Sequence, residues 1–285
     1  MNSTEYFQLK PKTSILFASN FGEGKTTQMI AFPRFFYIGF RQGGLSAINT
    51  LKNQKHKNNL IRYEELIPKD DKEMREFLEP EKGLLTRFVR EAREMAQKNE
   101  IETLLLDDVT DAVENHQKYI WEFEYKKTGS GESDTQSMFG QLKINLSNVF
   151  DREILPFRKY GNIIIACHLM RESEQQLRGG SPDRKTGYKT RAGAVEPTSD
   201  IYPDIVGGFR REIQRKFENV IYLEAKLDQA GNRKFMAYCN KQVAFGTVIL
   251  AKNVLNLPDK IDVTDKSLYD VLTSNINNGA KSPNT

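Results

Sequence analysis

The sequence predicts an α/β fold in which helices flank a mainly parallel central sheet, with an antiparallel hairpin near the C-terminus. Short apolar runs alternate along the chain with segments of helical periodicity, which is typical of a parallel sheet covered on both faces. The first apolar run stops at a glycine-rich turn that precedes a helical segment. Two later runs, 217–227 and 233–240, are joined by the turn 228–232, and this pattern predicts the hairpin.

The elements of the N-terminal half follow from their apolar patterns. A buried strand is predicted at 13–19, where seven mostly apolar residues precede the turn, and a helix is predicted from Lys25 to Ile30. A second strand is predicted at 35–40, a polar and basic loop at 49–60, and helical structure over 70–98.

The second half continues the same alternation. We predict a strand at 102–108, a flexible loop at 128–136, an amphipathic helix at 138–159 and a buried strand at 162–167. The stretch 171–203 is polar and basic, and an unpatterned segment of this length is normally functional or disordered. No internal repeat or domain boundary is evident.

Composition sets broad limits on function. Of the 285 residues, 38% are hydrophobic and 28% are charged, which allows a sizeable core under a well-charged surface. The net charge of +4 permits contact with phosphates without requiring it. The two cysteines, Cys167 and Cys239, are too few for a disulfide framework and favour a reducing compartment. No apolar run approaches the roughly 20 residues that cross a bilayer, so we expect a cytoplasmic protein without a membrane partner.

The strongest functional signal follows the first strand. It is the stretch Ser19, Asn20, Phe21, Gly22, Glu23, Gly24, Lys25, Thr26 and Thr27. From Gly24 onward this stretch fits the phosphate-loop pattern G-x-x-x-x-G-K-[ST], although Ser19 replaces the first glycine. Backbone N–H groups in such a loop surround phosphate oxygens, and the next helix adds its positive end. We expect ATP and Mg²⁺ here, with Lys25 on the β- and γ-phosphates and the Thr26 hydroxyl on Mg²⁺.

A pair of carboxylates supports this interpretation. The strand that contains Leu104, Leu105 and Leu106 ends in Asp107 and Asp108. Phosphate-loop enzymes need a carboxylate at such a strand end to hold the magnesium ion and its waters. We expect Asp107 in that role and Asp108 as a helper or water-orienting group. The alternative is an aspartate pair that only caps the next helix.

Four segments together resemble the RecA-like P-loop ATPases. More narrowly, they resemble phage-encoded nucleotide-binding proteins of DNA recombination and single-strand annealing. The segments are SNFGEGKTT at 19–27, LLLDDVTD at 104–111, NIIIACHLMRE at 162–172 and AKNVLNLPDKI at 251–261. The resemblance implies a RecA-like ATP-binding domain over 1–273, which we expect to precede a disordered tail at 274–285, and a homo-oligomer, either a ring or a filament. It also implies that His168 senses the γ-phosphate, although a histidine at a strand end often makes only local hydrogen bonds.

The chain departs from this family pattern at two places. RecA-like enzymes usually end the second strand in a glutamate that activates water, but residues 37–44 contain no carboxylate. The possible replacements are Glu23, Asp108, Glu64 and Glu65. In the last segment Val254 stands where a basic residue is expected, while Lys252 remains available to a neighbouring subunit. Slow hydrolysis is therefore one of the outcomes we expect.

Basic residues and an aromatic are concentrated after the fourth predicted strand. They are Arg178, Arg184, Lys185, Tyr188, Lys189 and Arg191. Such a segment suits single-stranded DNA, because the cations follow the backbone and the ring offers a stacking face. The alternative is a solvated insertion, since Glu172, Glu174 and Asp183 dilute the charge.

Taken together, these features predict a DNA-dependent ATPase of phage-type recombination, repair or replication. If the gene belongs to a phage, the protein would act in the host cytoplasm. A nucleotide-gated DNA-binding or loader protein with little hydrolysis is the first alternative. A small-molecule P-loop kinase is the second.

Overall fold

The computed structural model describes residues 12–41, 54–79, 81–120, 132–171, 201–205, 209–244 and 247–279. Its strands are β1 (Ser14–Ser19), β2 (Phe35–Gly39), β3 (Leu60–Glu65), β4 (Thr103–Asp107), β5 (Asn162–Arg171), β6 (Ile201–Pro203), β7 (Asn219–Leu227), β8 (Arg233–Tyr238), β9 (Gln242–Ala244), β10 (Thr247–Ile249) and β11 (Lys260–Asp262). Its α-helices are α1 (Lys25–Met29), α2 (Asp71–Glu76), α3 (Leu84–Gln97), α4 (Val109–Tyr119), α5 (Glu132–Val149), α6 (Phe209–Lys216) and α7 (Leu268–Gly279).

The central sheet has the order β11-β8-β7-β1-β5-β4-β2-β3. The six strands from β7 to β3 are parallel, whereas β8 and β11 add antiparallel pairs at one edge. β7 and β8 form the predicted hairpin, with Tyr222 opposite Tyr238. The predicted α/β class, with helices flanking a mainly parallel sheet and an antiparallel hairpin near the C-terminus, is confirmed.

Both faces of the sheet are covered. α3, α4, α5 and α6 pack on one face, and α1 and α7 pack on the other. Representative core residues of these helices are Val89, Val113, Leu146, Ile213, Met29 and Leu272. The four strands β1, β5, β4 and β2 are apolar on both faces, because each lies between two layers of helices.

Several predicted boundaries were wrong for identifiable reasons. The helical region 70–98 is divided in two at Gly83, where a Cβ atom would lie 2.5 Å from the carbonyl oxygens of Glu76 and Glu79. α5 begins at Glu132, inside the predicted loop 128–136. The predicted helix to residue 159 changes to a π-helical turn at Phe150–Ile154 and a 3₁₀ turn at Leu155–Lys159. Proline at position 156, at the start of that 3₁₀ turn, lacks the N–H that an α-helix would need.

The remaining differences concern short or polar elements. β3 was not predicted, because its sequence LIRYEE forms a half-exposed edge strand without an apolar run. α7 continues to Gly279, beyond the expected start of the tail at residue 274. Ser267 and Asp270 exchange hydrogen bonds at its first turn, and Leu268 and Leu272 anchor it in the core. Residues 280–285 lie outside the described residues.

Two glycines offer a matched test of the packing before β5. A Cβ atom on Gly161 would lie 2.5 Å from the Glu102 carbonyl oxygen and 2.8 Å from a Phe157 ring carbon. Gly161→Ala is therefore expected to lower the free energy of unfolding by about 2 kcal/mol or more. A Cβ atom on Gly140, inside α5, would meet no atom within 4 Å. Gly140→Ala is expected to raise the free energy of unfolding by about 0.5–1 kcal/mol. Urea denaturation measures both, and equal effects of the two changes would contradict the described packing.

Candidate nucleotide-binding site

The phosphate loop leaves the carboxyl end of β1 and enters α1. Gly22 and Gly24 adopt φ values of 74° and 90°, which favour glycine. The Arg233 guanidinium donates a hydrogen bond to the Gly22 carbonyl at 2.6 Å and lies over the Phe235 ring at 5.2 Å. A Cβ atom on Gly24 would lie 3.2 Å from that ring. β8 therefore packs against the phosphate loop at Gly22 and Gly24.

Lys25 lies at the centre of the site with little exposure to solvent. Its Nζ donates to the Ser19 carbonyl at 3.1 Å and to the Asn20 carbonyl at 3.3 Å. His168 Nδ1 lies 3.2 Å away, and Asp108 Oδ2 lies 3.5 Å away. The loop, β4 and β5 thus all supply acceptors to a single ammonium group.

Thr26 and Asp107 form the predicted oxygen pair. The Thr26 hydroxyl donates to Asp107 Oδ2 at 2.7 Å, and the Tyr37 hydroxyl donates to the same oxygen at 2.6 Å. Burial, followed by repulsion from Asp108, raises the pKa of Asp107. Burial and the Asp107 carboxylate also raise the pKa of Tyr37 well above its usual range, so Tyr37 remains a donor.

This oxygen pair fits a magnesium ion. Mg²⁺ prefers oxygen ligands and is usually held by one or two protein groups together with phosphates and water. The buried carboxylate of Asp107 has a raised pKa, so a nearby cation would favour its charged form. Across the described ranges, no group of three or more histidine, cysteine or acidic side chains is arranged for a metal ion.

Asp108 caps α4 and also faces two of the predicted site residues. Its Oδ1 accepts from the Thr110 backbone N–H at 2.9 Å, which caps α4. Its Oδ2 faces Lys25 Nζ and His168 Nε2, the latter at 3.3 Å. The interpretation of Asp108 as a helix cap is therefore correct, and the same side chain also contacts the predicted site residues.

His168 is brought beside the phosphate loop by strand order. β5 lies between β1 and β4, and His168 is in register with Ser19. The His168 backbone N–H donates to the Thr110 hydroxyl at 2.9 Å, and its ring stacks on Phe21 at 5.8 Å. Burial lowers the pKa of His168, although Asp108 opposes this change. The ring is therefore neutral at physiological pH.

Sequence reasoning missed four side chains near the loop: Tyr37, Arg41, Asp111 and Arg233. Arg41, two residues beyond the end of β2, lies over the Phe21 ring at 4.6 Å, with its Nε 3.9 Å from Asp111 Oδ2. Asp111 belongs to the quoted segment 104–111, and its position three residues after Asp108 places it in the first turn of α4. That spacing was an available signal. Nothing in the local pattern distinguishes Arg41 or Arg233.

Other predicted candidates lie elsewhere or are already engaged. Glu23 accepts from the Asn20 backbone N–H at 2.7 Å. Glu64 pairs with Arg62, and Glu65 accepts from the Tyr63 hydroxyl. The Lys252 ammonium donates to the Phe217 carbonyl, just before the start of β7. This contact lies at the amino ends of the parallel strands, whereas the phosphate loop lies at their carboxyl ends. The predicted DNA-binding residues Arg178, Arg184, Lys185, Tyr188, Lys189 and Arg191 lie outside the described residues.

Comparison with known proteins agrees with this geometry. A family model described as an AAA domain (AAA_24) matches residues 11–246. The chain belongs to this AAA domain family. It therefore contains a nucleotide-binding ATPase domain, and the phosphate loop lies within the matched region.

Comparison with curated proteins and solved structures adds little about function. No curated protein matches this chain. The flagellar accessory protein FlaH from Methanocaldococcus jannaschii is structurally similar, with a TM-score of 0.40 and 11% sequence identity. The similarity covers 88% of this chain and 84% of that protein, and at this level it says nothing about the activity of the AAA domain. None of the described helices is both long and apolar enough to cross a membrane.

The electrostatics of Asp111 predict a stability that depends on pH. Burial, then repulsion from Asp108, raises its pKa to about 6 in the folded protein, compared with about 3.9 in an unfolded chain. The charged form thus disfavours folding fully above about pH 6, and the penalty shrinks as the pH falls from about 6 to about 4, below which both states are protonated. Asp111→Asn is expected to raise the free energy of unfolding by about 1–2 kcal/mol at pH 7.5, allowing for partial exposure, and by about a third of that at pH 4.5.

The measurement is urea denaturation at the two pH values. Glu114→Gln is the control, because Glu114 is exposed one turn further along α4. It should change the free energy of unfolding by less than about 0.5 kcal/mol at either pH. A lower stability of Asp111→Asn at pH 7.5 would contradict the described environment.

Proposed function

We propose that the AAA domain hydrolyses ATP with Mg²⁺ and couples this reaction to single-stranded DNA in phage-type recombination, repair or replication. The observation that carries the enzymatic part is the convergence of Lys25, Thr26, Asp107, Asp108 and His168. The Thr26 hydroxyl lies 2.7 Å from Asp107, and the functional atoms of Lys25, Asp108 and His168 lie 3.2–3.5 Å from one another, at the same end of the sheet.

The loop and α1 supply the binding energy for the phosphates. Exposed N–H groups of the loop, the α1 N-terminus and the Lys25 ammonium all favour a polyphosphate. Lys25 must exchange at least part of its contact with the Ser19 and Asn20 carbonyls for phosphate oxygens. Thr26 and Asp107 would hold Mg²⁺, which neutralises charge on the phosphates.

His168 and Asp108 connect phosphate binding to the rest of the sheet. His168 is 20% exposed, and its neutral ring lies against both Lys25 and Phe21. A change in the position of the Lys25 ammonium would therefore alter its contact with the His168 ring. Asp108 holds Lys25 and His168 in place through one oxygen, which makes it a positioning residue in this proposal.

The DNA-coupled part of the proposal rests on chain connectivity. The basic segment that contains Arg178, Lys185 and Tyr188 follows β5, the strand that carries His168. A phosphate contact at His168 is therefore ten residues along the chain from Arg178, the first of the proposed DNA-binding residues. Because AAA and RecA-like sites commonly act between subunits, we also propose a homo-oligomer, either a ring or a filament.

One observation favours a second candidate, a nucleotide-gated DNA-binding or loader protein with little hydrolysis. The end of β2 carries Phe40 and Arg41, so the water-activating glutamate implied by the family resemblance does not occur there. If no other carboxylate takes its place, ATP binding would still switch the protein between two states.

ATP turnover with and without single-stranded DNA tests these alternatives. Lys25→Ala is expected to lower kcat/KM at least about 100-fold, because it removes the cation that lies nearest to the transferred phosphate. Lys98→Ala is the control. Lys98 is exposed at the end of α3, which leads to the amino end of β4, whereas the phosphate loop lies at the carboxyl ends of the strands. This substitution should leave turnover within about twofold. DNA is expected to stimulate the wild-type protein.

The possible outcomes separate the candidates. Turnover that DNA stimulates, and that only Lys25→Ala abolishes, supports the DNA-coupled ATPase. Turnover that is unaffected by DNA contradicts the DNA-coupled part alone. ATP binding with no turnover under any condition contradicts hydrolysis and favours the nucleotide-gated protein.

The role of Thr26 is tested by titrating Mg²⁺ in the same assay. Thr26→Val has nearly the same volume but lacks the hydroxyl, so half-maximal turnover should need at least about tenfold more Mg²⁺. Thr26→Ser keeps the hydroxyl and should remain within about threefold of the wild type. An unchanged Mg²⁺ requirement in Thr26→Val would contradict the assignment of Thr26 to the metal.

A further inference from the structure

The end of β2 lies directly beside the carboxylates of β4. Gly39 is in register with Asp107, and the Phe40 backbone N–H donates to the Asp107 carbonyl at 3.0 Å. The residues that follow β2 therefore border the proposed reaction site. Arg41 occupies this border, so the strand itself supplies a cation there.

A carboxylate reaches the same place from the neighbouring helix. α4 begins directly after its N-cap Asp108, and Asp111 lies in its first turn. Its Oδ2 faces Arg41 Nε at 3.9 Å, which is an ion-pair distance but too long for a hydrogen bond. Asp111 thus places a carboxylate against Arg41, beside the end of β2.

We propose that Asp111 is the catalytic base that activates water in this ATPase site, with Arg41 as its positioning residue. This assignment deepens the proposed ATP hydrolysis and rests on it. It places the base on α4 instead of on the second strand.

The other acidic side chains near the loop are engaged. Asp107 Oδ2 accepts from two hydroxyl groups. Asp108 is 2% exposed, and its Oδ2 lies between two nitrogen atoms, Lys25 Nζ and His168 Nε2. Glu23 accepts from the Asn20 backbone N–H. Each of these carboxylates therefore already holds part of the site together.

Asp111 differs from Asp108 in its access to solvent, since Asp108 is 2% exposed and its Oδ2 likewise accepts no hydrogen bond among the described residues. Among the residues that the structure describes, the buried Oδ2 of Asp111 accepts no hydrogen bond. The residue is nevertheless 24% exposed and lines an open cavity of about 280 Å³, together with Phe40, Arg41 and Glu114. This volume holds several water molecules, so the exposed part of the Asp111 side chain has access to the reactant that it would activate. A pKa of about 6 also suits a base that must accept a proton near neutral pH.

Arg41 connects this carboxylate to the phosphate loop. Its guanidinium lies 4.6 Å from the centre of the Phe21 ring, and Phe21 stacks on His168. His168 in turn lies 3.2 Å from Lys25 Nζ. A continuous row of contacts therefore fixes Arg41, and through it Asp111, relative to the ammonium that binds the γ-phosphate.

The proposed step is hydrolysis of the terminal phosphoanhydride bond of ATP, and its only reactants are ATP and water. The oxygen of a water molecule forms a bond to the γ-phosphorus of ATP, and the bond from that phosphorus to the β,γ-bridging oxygen breaks. The bridging oxygen leaves with the electron pair as part of ADP. The water proton moves to the Asp111 carboxylate, which later releases it to solvent. The products are ADP, inorganic phosphate and one proton.

The test compares Asp111→Asn with Glu114→Gln in the full chain. Glu114 lies on the same helix, lines the same cavity and also loses one negative charge on substitution. Turnover is measured at saturating ATP, and ATP affinity is measured separately with a fluorescent ATP analogue. Asp111→Asn is expected to lower kcat about 100-fold or more and to leave the Kd within about threefold. Glu114→Gln should leave both within about twofold, and Asp111→Glu should recover part of kcat.

Three results would overturn the assignment. Near-wild-type turnover of Asp111→Asn excludes Asp111 as the base. An equal loss of ATP affinity and turnover in Asp111→Asn shows that the residue only supports the loop. If the wild-type protein binds ATP but never hydrolyses it, both the proposed hydrolysis and the assignment of Asp111 as the catalytic base are contradicted. That third result is distinguishable, because the wild type and Asp111→Asn would then behave alike.

Discussion

The buried ammonium group of Lys25 is the constraint around which the site is organised. A cation that is 8% exposed is stable only if several acceptors surround it. Two loop carbonyls, the Asp108 carboxylate and the His168 ring meet this need. The loop, β4 and β5 must therefore converge, and a shift of any of them would leave a buried charge without partners.

Strand order makes this convergence possible. Because β5 is inserted between β1 and β4, the carboxyl ends of three parallel strands meet at one edge of the sheet. The hairpin of β7 and β8 extends beyond the end of β1 and closes the other side of the loop through Arg233 and Phe235. The apolar strands are buried on both faces, so these ends are held on a rigid base.

The acidic groups divide their roles according to their surroundings. Asp107 accepts from two hydroxyl donors through one oxygen, and Asp108 caps α4 and faces two nitrogen atoms. Asp111 is 24% exposed and has a raised pKa, which costs stability at neutral pH. Such a cost is common where a side chain is kept reactive.

The sequence by itself determined the features that depend on neighbouring residues. The alternation of apolar runs predicted the layers, and the spacing of Gly24, Lys25 and Thr26 predicted the loop, because φ values and strand-helix junctions are local properties. Tertiary structure alone decided which distant side chains complete the site. Arg233 and Gly22 are 211 residues apart, and Lys25 and His168 are 143 apart. Contacts between such positions depend on strand order and register. The local sequence around the contacting residues has no periodic pattern that encodes either of these.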